Sequence, residues 1–156
     1  MQLRILQLMI IMLTVLSAFS PGYADASNDE VNFQKLFTEW TNAFNQKQYP
    51  KVCHLFAKSV HADYQGSSQK NYAKICEGFR KIFQEKEMTY HNDFKIHHIY
   101  RSDDLAAVRI TWYLNIYKNG KHMSFIQEEG LDIFQRQTNK KWEIINFIAY
   151  PVLSTQ

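Results

Sequence analysis

From Phe33 onward, apolar residues recur at three- and four-residue spacing. Phe33, Leu36, Phe37, Trp40, Ala43 and Phe44 therefore fall on one face of a predicted helix. Ser27, with Glu30 three residues on, has the form of a capping box and marks where that helix starts. The polar stretch from Asn45 to Gln48 ends it. Pro50 suits the first turn of a second, short helix carrying Val52, Leu55 and Phe56. Gln65-Gly66-Ser67-Ser68 reads as a turn, with Ser67 or Ser68 able to cap a third helix. That helix aligns Tyr72, Ile75, Cys76, Phe79, Ile82 and Phe83.

After Glu87 the period changes to two, and four strand-like runs follow, the last from Lys141 to Tyr150. In the first, Tyr90, Phe94, Ile96, His98 and Tyr100 fall broadly on one face, and Ser102-Asp103-Asp104 makes the next turn. In the second, Val108, Ile110, Trp112, Leu114 and Ile116 alternate with Arg109, Thr111, Tyr113, Asn115 and Tyr117. Asn119-Gly120 between two such runs is a strong hairpin signal. Gly130, inside the third run from His122 to Gln135, suggests a bulge or bend. Trp142, Ile144 and Ile148 belong to the fourth. Helices followed by a meander of strands predict an α+β fold. Three N-terminal helices should pack in the concave face of a curved antiparallel sheet, leaving an apolar pocket between the layers.

The N-terminus changes the picture of compartment. Arg4 is the only charged residue before Asp25, and Ile5 to Phe19 is a mostly apolar run ahead of Gly22 and Ala24. Residues 1–24 read as a signal peptide cut after Ala24 or Ala26, leaving residues 25–156 as a single domain. A retained anchor is the alternative, but the run has about 15 residues where a spanning helix needs about 20. The product would be periplasmic or secreted, with no membrane anchor after cleavage. A net charge of +3 with interspersed signs gives no nucleic-acid surface. Cys53 and Cys76 are an even pair in an exported chain and suggest a disulfide, the alternative being two buried thiols.

Candidate chemistry is sparse. His97 and His98 are strand neighbours that face opposite sides, and His54, His61, His91 and His122 show no ligand spacing, so no metal is expected. The sequence holds no CxxC pair and no glycine-rich phosphate loop, and no cofactor is implied. Of Glu128 and Glu129, one acid could face inward, against the plainer reading of a solvated pair.

The layout resembles the nuclear transport factor 2-like superfamily, in particular its SnoaL-like and ketosteroid-isomerase-like branches with a cystatin-like cone. The resemblance rests on Leu55-Phe56-Ala57 with a short strand to Gly66, the capped helix, the long hairpin, and Lys141-Trp142-Glu143-Ile144. It implies a ligand pocket lined by Trp40, Phe44, Tyr64, Phe79, Phe83, His98 and Asp132. Compared with ketosteroid isomerase, anchored on Leu55-Phe56-Ala57, the helix tyrosine falls on Trp40 and the base aspartate on Tyr64, one residue from Asp63. Leu131-Asp132-Ile133-Phe134 matches the segment with the oxyanion aspartate, so Asp132 is carried over. A scytalone-dehydratase-like site would instead use His98 with Asp132.

The leading expectation is an exported binder of a small apolar or amphipathic ligand without assigned catalysis. The alternatives are an isomerase, cyclase or dehydratase using Asp132 with Asp63 or His98, and a protein-interaction domain of the cell envelope. The Arg109, Thr111, Tyr113, Asn115, Tyr117 face suits an interface better than open solvent, so a homodimer through the outer sheet face is expected.

Overall fold

A computed structural model describes residues 26–152, with side chains from Phe33 onward. The expected signal peptide lies outside these residues, while Ser27, the expected cap, lies within the first helix. Helix α1 spans Ala26–Asn45, and helix α2 spans Tyr72–Gln84. Six strands follow the chain as β1 (Phe56–Tyr64), β2 (Lys70–Asn71), β3 (Met88–Ser102), β4 (Leu105–Lys118), β5 (Lys121–Arg136) and β6 (Trp142–Pro151). They form one sheet in the order β2-β1-β6-β5-β4-β3.

Two expectations of architecture are corrected. Of the three helices expected, the middle one is only a 3-10 helix over Lys51–Leu55. One turn carries Val52 and Leu55 at the spacing that an α-helix would also give, so the pattern cannot separate the two. The sheet is also not wholly antiparallel, because β1 pairs with β6 in parallel. β1 is laid down before the β3–β6 meander, and the final strand returns to lie beside it.

α1 is seated by its aromatic face. Phe33 and Phe37 are completely buried, and both meet Phe134 of β5 at ring-centre distances of 5.0 and 5.6 Å. Phe37 also touches Phe94 of β3 and Trp112 of β4. The far end of the helix is pinned by Asn45. Its Nδ2 donates to the Asn92 carbonyl at 3.0 Å, and its Oδ1 accepts from the Asn92 N–H at 2.6 Å. β3 is an edge strand, so this side chain takes the place of a neighbouring strand there.

α2 begins later than expected. Asn71, not Ser67 or Ser68, is its cap, with Asn71 Oδ1 accepting from the Lys74 N–H at 3.1 Å. The expected turn at Asn119-Gly120 is formed with positive φ at both residues, 49° and 77°, the combination that a two-residue hairpin requires. Gly130, expected at a bulge, pairs in register with Ile110 and Ala149. A Cβ there would make ordinary contact, 3.4 Å from Ile110 Cγ2, so neither a bulge nor a clash accounts for the glycine.

A Cys53–Cys76 disulfide ties the 3-10 turn to α2. Both half-cystines are buried beside Phe44 and Tyr90. Joining positions 23 apart in sequence, the bridge restricts the unfolded chain and should contribute about 3 kcal/mol. Reduction should lower the urea unfolding free energy by that order, and Cys53→Ala/Cys76→Ala should match the reduced protein. Thiol labelling of the denatured, unreduced protein checks the bridge directly.

Candidate functional site

The helices do not fill the cone. A cavity of about 270 Å³ remains between α1, α2 and the concave face of the sheet. Its walls are aromatic and aliphatic: Trp40 and Phe44 from α1, Phe79 from α2, Phe56, Trp112 and Phe147 from the sheet. The Trp40 indole is fixed, because its Nε1–H donates to the Val52 carbonyl at 2.8 Å and its ring stacks on Phe44. It therefore forms a wall and cannot swing inward to close the space.

Four polar side chains interrupt this apolar lining, namely Tyr64, Asn92, Glu128 and Asp132. Alternation along β5 explains two of them, because Glu128, Gly130, Asp132 and Phe134 point to the same side as the buried Phe134. Asp132 is 4% exposed, and no described group hydrogen-bonds its carboxyl. Burial alone pushes its pKa up to about 7. Burial likewise raises Glu128, partly offset by the Lys70 cation. Tyr64 is raised by burial first and then by the charges of Glu128 and Asp132, so its hydroxyl stays protonated. At neutral pH the cavity thus holds a carboxyl poised between its acid and carboxylate forms, facing apolar rings.

Trp40, Phe44, Tyr64, Phe79 and Asp132 line the cavity. Phe83 does not; it packs behind the wall on Phe44 and Phe79. His98 is carried to the other side of the sheet. The β3–β4 register shifts between Ile96 and His98, so His98 pairs with Arg109 on the outer face and lies exposed against Tyr100. Asp63 neighbours Tyr64 on β1 and faces away from the cavity, where Gln69 Nε2 donates to both of its carboxylate oxygens at 3.2 Å. Neither partner expected for Asp132 meets it.

Asn92 was missed, although an asparagine between Tyr90 and Phe94 on the apolar face of a strand was a visible signal. Glu128 was left open between the two faces, and the strand parity decides it. Among the described residues, no group of three or more His, Cys, Asp or Glu side chains is placed to hold a metal ion.

A family model for the SnoaL-like domain matches residues 37–144. The chain belongs to this family. It is accordingly a member of the nuclear transport factor 2-like superfamily, with the cone fold that the topology describes. No curated protein matches the sequence. Among solved structures, a ketosteroid isomerase-like protein from Erwinia carotovora atroseptica SCRI1043 is similar with a TM-score of 0.61 at 13% identity, covering 86% of this chain and 99% of that one. A domain of unknown function with a cystatin-like fold from Nostoc punctiforme PCC 73102 gives 0.64 at 12%, covering 82% and 80%. A protein from Catenulispora acidiphila, in complex with S-DNPA, gives 0.66 at 8%, covering 80% and 94%. At such identities these likenesses speak for the SnoaL-like cone alone.

The Asp132 environment has a measurable consequence. Its folded pKa lies above the ordinary aspartate value, so the folded state holds the proton more tightly than the unfolded chain. Its contribution to stability is full below about pH 4 and is lost as pH rises through about 7. Asp132→Asn should remove this slope, so that relative to the variant the wild type loses on the order of 4 kcal/mol across that window. Urea unfolding at both ends of the window, with a carbon-13 titration of the Asp132 carboxyl, checks midpoint and sign.

Proposed function

We propose that this SnoaL-like cone is a receptor for one small, mostly apolar ligand that presents a hydrogen-bond acceptor, such as a ketone oxygen, to the protonated carboxyl of Asp132. The observation that carries the reading is a buried carboxyl without a partner, opening into an aromatic cavity. In its acid form it needs an acceptor, and the surrounding rings offer none better than a ligand oxygen. The complex of the Catenulispora acidiphila relative with S-DNPA is consistent with small-molecule binding in this fold.

A catalytic reading, as isomerase, cyclase or dehydratase, would have to use Asp132 as acid and Glu128 as base. The two are four residues apart on β5, about 13 Å along the strand. That spacing suits contacts at two points of one ligand better than proton transfer across adjacent bonds. Binding is therefore the function we assign, in a compartment reached through the signal peptide read at residues 1–24. The disulfide fits such an oxidising setting. Among the described residues no helix is long and apolar enough to cross a membrane.

Trp40 and Trp112 in the wall provide a direct assay. Para-acetylbiphenyl should quench tryptophan fluorescence saturably, and its affinity should fall at least about fivefold as pH rises from about 5.5 to about 8.5, as Asp132 loses its proton. Asp132→Asn should retain binding without that pH dependence. Absence of saturable quenching at both pH values would defeat the receptor reading.

We also propose that the receptor is a homodimer through the outer face of the sheet. Phe125, Ile148, Tyr150 and Leu131 are exposed there, and the Tyr113 and Phe125 rings lie stacked at 6.3 Å between centres. Apolar side chains concentrated on one sheet face favour a second copy that covers them with the same surface. Sedimentation at micromolar concentration should give twice the monomer mass, and Tyr113→Glu or Ile148→Glu should shift it to monomer while the circular dichroism spectrum stays that of the folded protein.

A further inference from the structure

Asn92 is a second polar residue of the cavity that folding alone does not explain. It sits on the concave side of β3 between Tyr90 and Phe94, is 7% exposed, and lines the cavity. Its backbone is held on both sides by Asn45, so the residue cannot drift to find a partner. Its Oδ1 is buried and accepts no hydrogen bond. A buried acceptor left unmade is a standing cost, and an aliphatic side chain would fill the same place without it. The terminal torsion of asparagine is broad and roughly two-fold, so turning the amide over presents Oδ1 to the cavity when a donor arrives.

Its position relative to Asp132 defines what that donor belongs to. β4 lies between the two strands, and the β4 partners of Asn92 and Asp132 are Leu114 and Val108. The two polar groups therefore stand at opposite ends of the cavity, separated by the rings of Trp112 and Phe147 and the aliphatic side chains beside them. We propose that Asn92 is a second recognition point, and that the ligand is elongated and apolar in its middle, with a hydroxyl or N–H group at the end remote from Asp132. This rests on the receptor reading and narrows it to a ligand class: a rigid molecule of one or two rings, acceptor at one end and donor at the other.

Three probes separate this from simple apolar binding: para-acetylbiphenyl, its para′-hydroxy derivative, and the para′-methoxy derivative, which keeps an oxygen but has no proton to donate. The hydroxy probe should bind the full-length mature protein about five- to tenfold more tightly than either of the others, measured by tryptophan quenching and calorimetry. Asn92→Leu should abolish that preference, so that the hydroxy and methoxy probes bind the variant equally. Asn92→Ala serves the same comparison if the leucine variant does not fold, and the hydroxy-against-methoxy contrast in wild type needs no variant. Equal affinity for the three probes, or a hydroxy preference that survives both substitutions, overturns the role of Asn92 while para-acetylbiphenyl binding still upholds the receptor. Failure of all three to bind overturns both.

Discussion

The seating of α1 by Phe33 and Phe37 is the constraint on which everything else depends. These rings are wedged among Phe134, Phe94 and Trp112, and they fix how far the helix can sink into the sheet. Past them, the same helix offers Trp40 and Phe44, which are held back by the Val52 carbonyl and by Phe79 and Phe83. One helix thus packs a core at one end and roofs a cavity at the other. Truncating Phe37 would remove contacts to three strands at once, at a cost of about 3–5 kcal/mol. It would also let the roof settle into the cavity.

The sheet divides its two faces by the same logic. Inward positions of β4 and β5 carry Val108, Ile110, Trp112 and Phe134, with Glu128 and Asp132 as the polar exceptions. Outward positions carry a chain of hydrogen bonds in which His97 Nε2 donates to Thr111 Oγ1 at 2.6 Å, and that hydroxyl donates to Glu129 Oε1 at 2.7 Å. His97 reaches Thr111 because the β-bulge inserts it as an extra residue beside His98. The same irregularity that takes His98 out of the cavity therefore completes a polar network on the other side.

Local pattern made much of this readable. The aromatic face of α1, the Asn119-Gly120 hairpin and the Cys53–Cys76 pair follow from spacing within one element or from residue chemistry, and the family resemblance implied a pocket role for Asp132. What was not readable depends on where elements meet. The parallel pairing of β1 with β6 links strands separated by most of the domain, and no local period reports it. One slipped residue at His97 reverses the face of everything after it, so counting alternation from Tyr90 misplaces His98 and Tyr100. Asn71 displaces Ser67 and Ser68 as a cap because β2 pairs with His61 and Ala62 before the helix can begin. Glu128 could be assigned only once the strand parity was fixed by the buried Phe134.

The distribution of satisfied and unsatisfied polar groups gives the physical ground for separating cavity from core. Thr111 is 1% exposed, as buried as any core residue, yet its hydroxyl has partners on both sides. Asp132 and Asn92 are buried to a similar degree, and neither the carboxyl nor the Asn92 Oδ1 has a partner. Thr41 Oγ1 on α1 is also without one, but rotation about χ1 would bring it to the carbonyl one turn back, which neither strand residue can do. If folding stability alone had shaped the concave face, apolar residues would serve at both strand positions, since each unmade bond costs about 1–3 kcal/mol. The cost is concentrated at the two polar residues that reach the empty volume, at its opposite ends. A ligand with complementary ends would recover it, and that recovered free energy is then a source of the affinity.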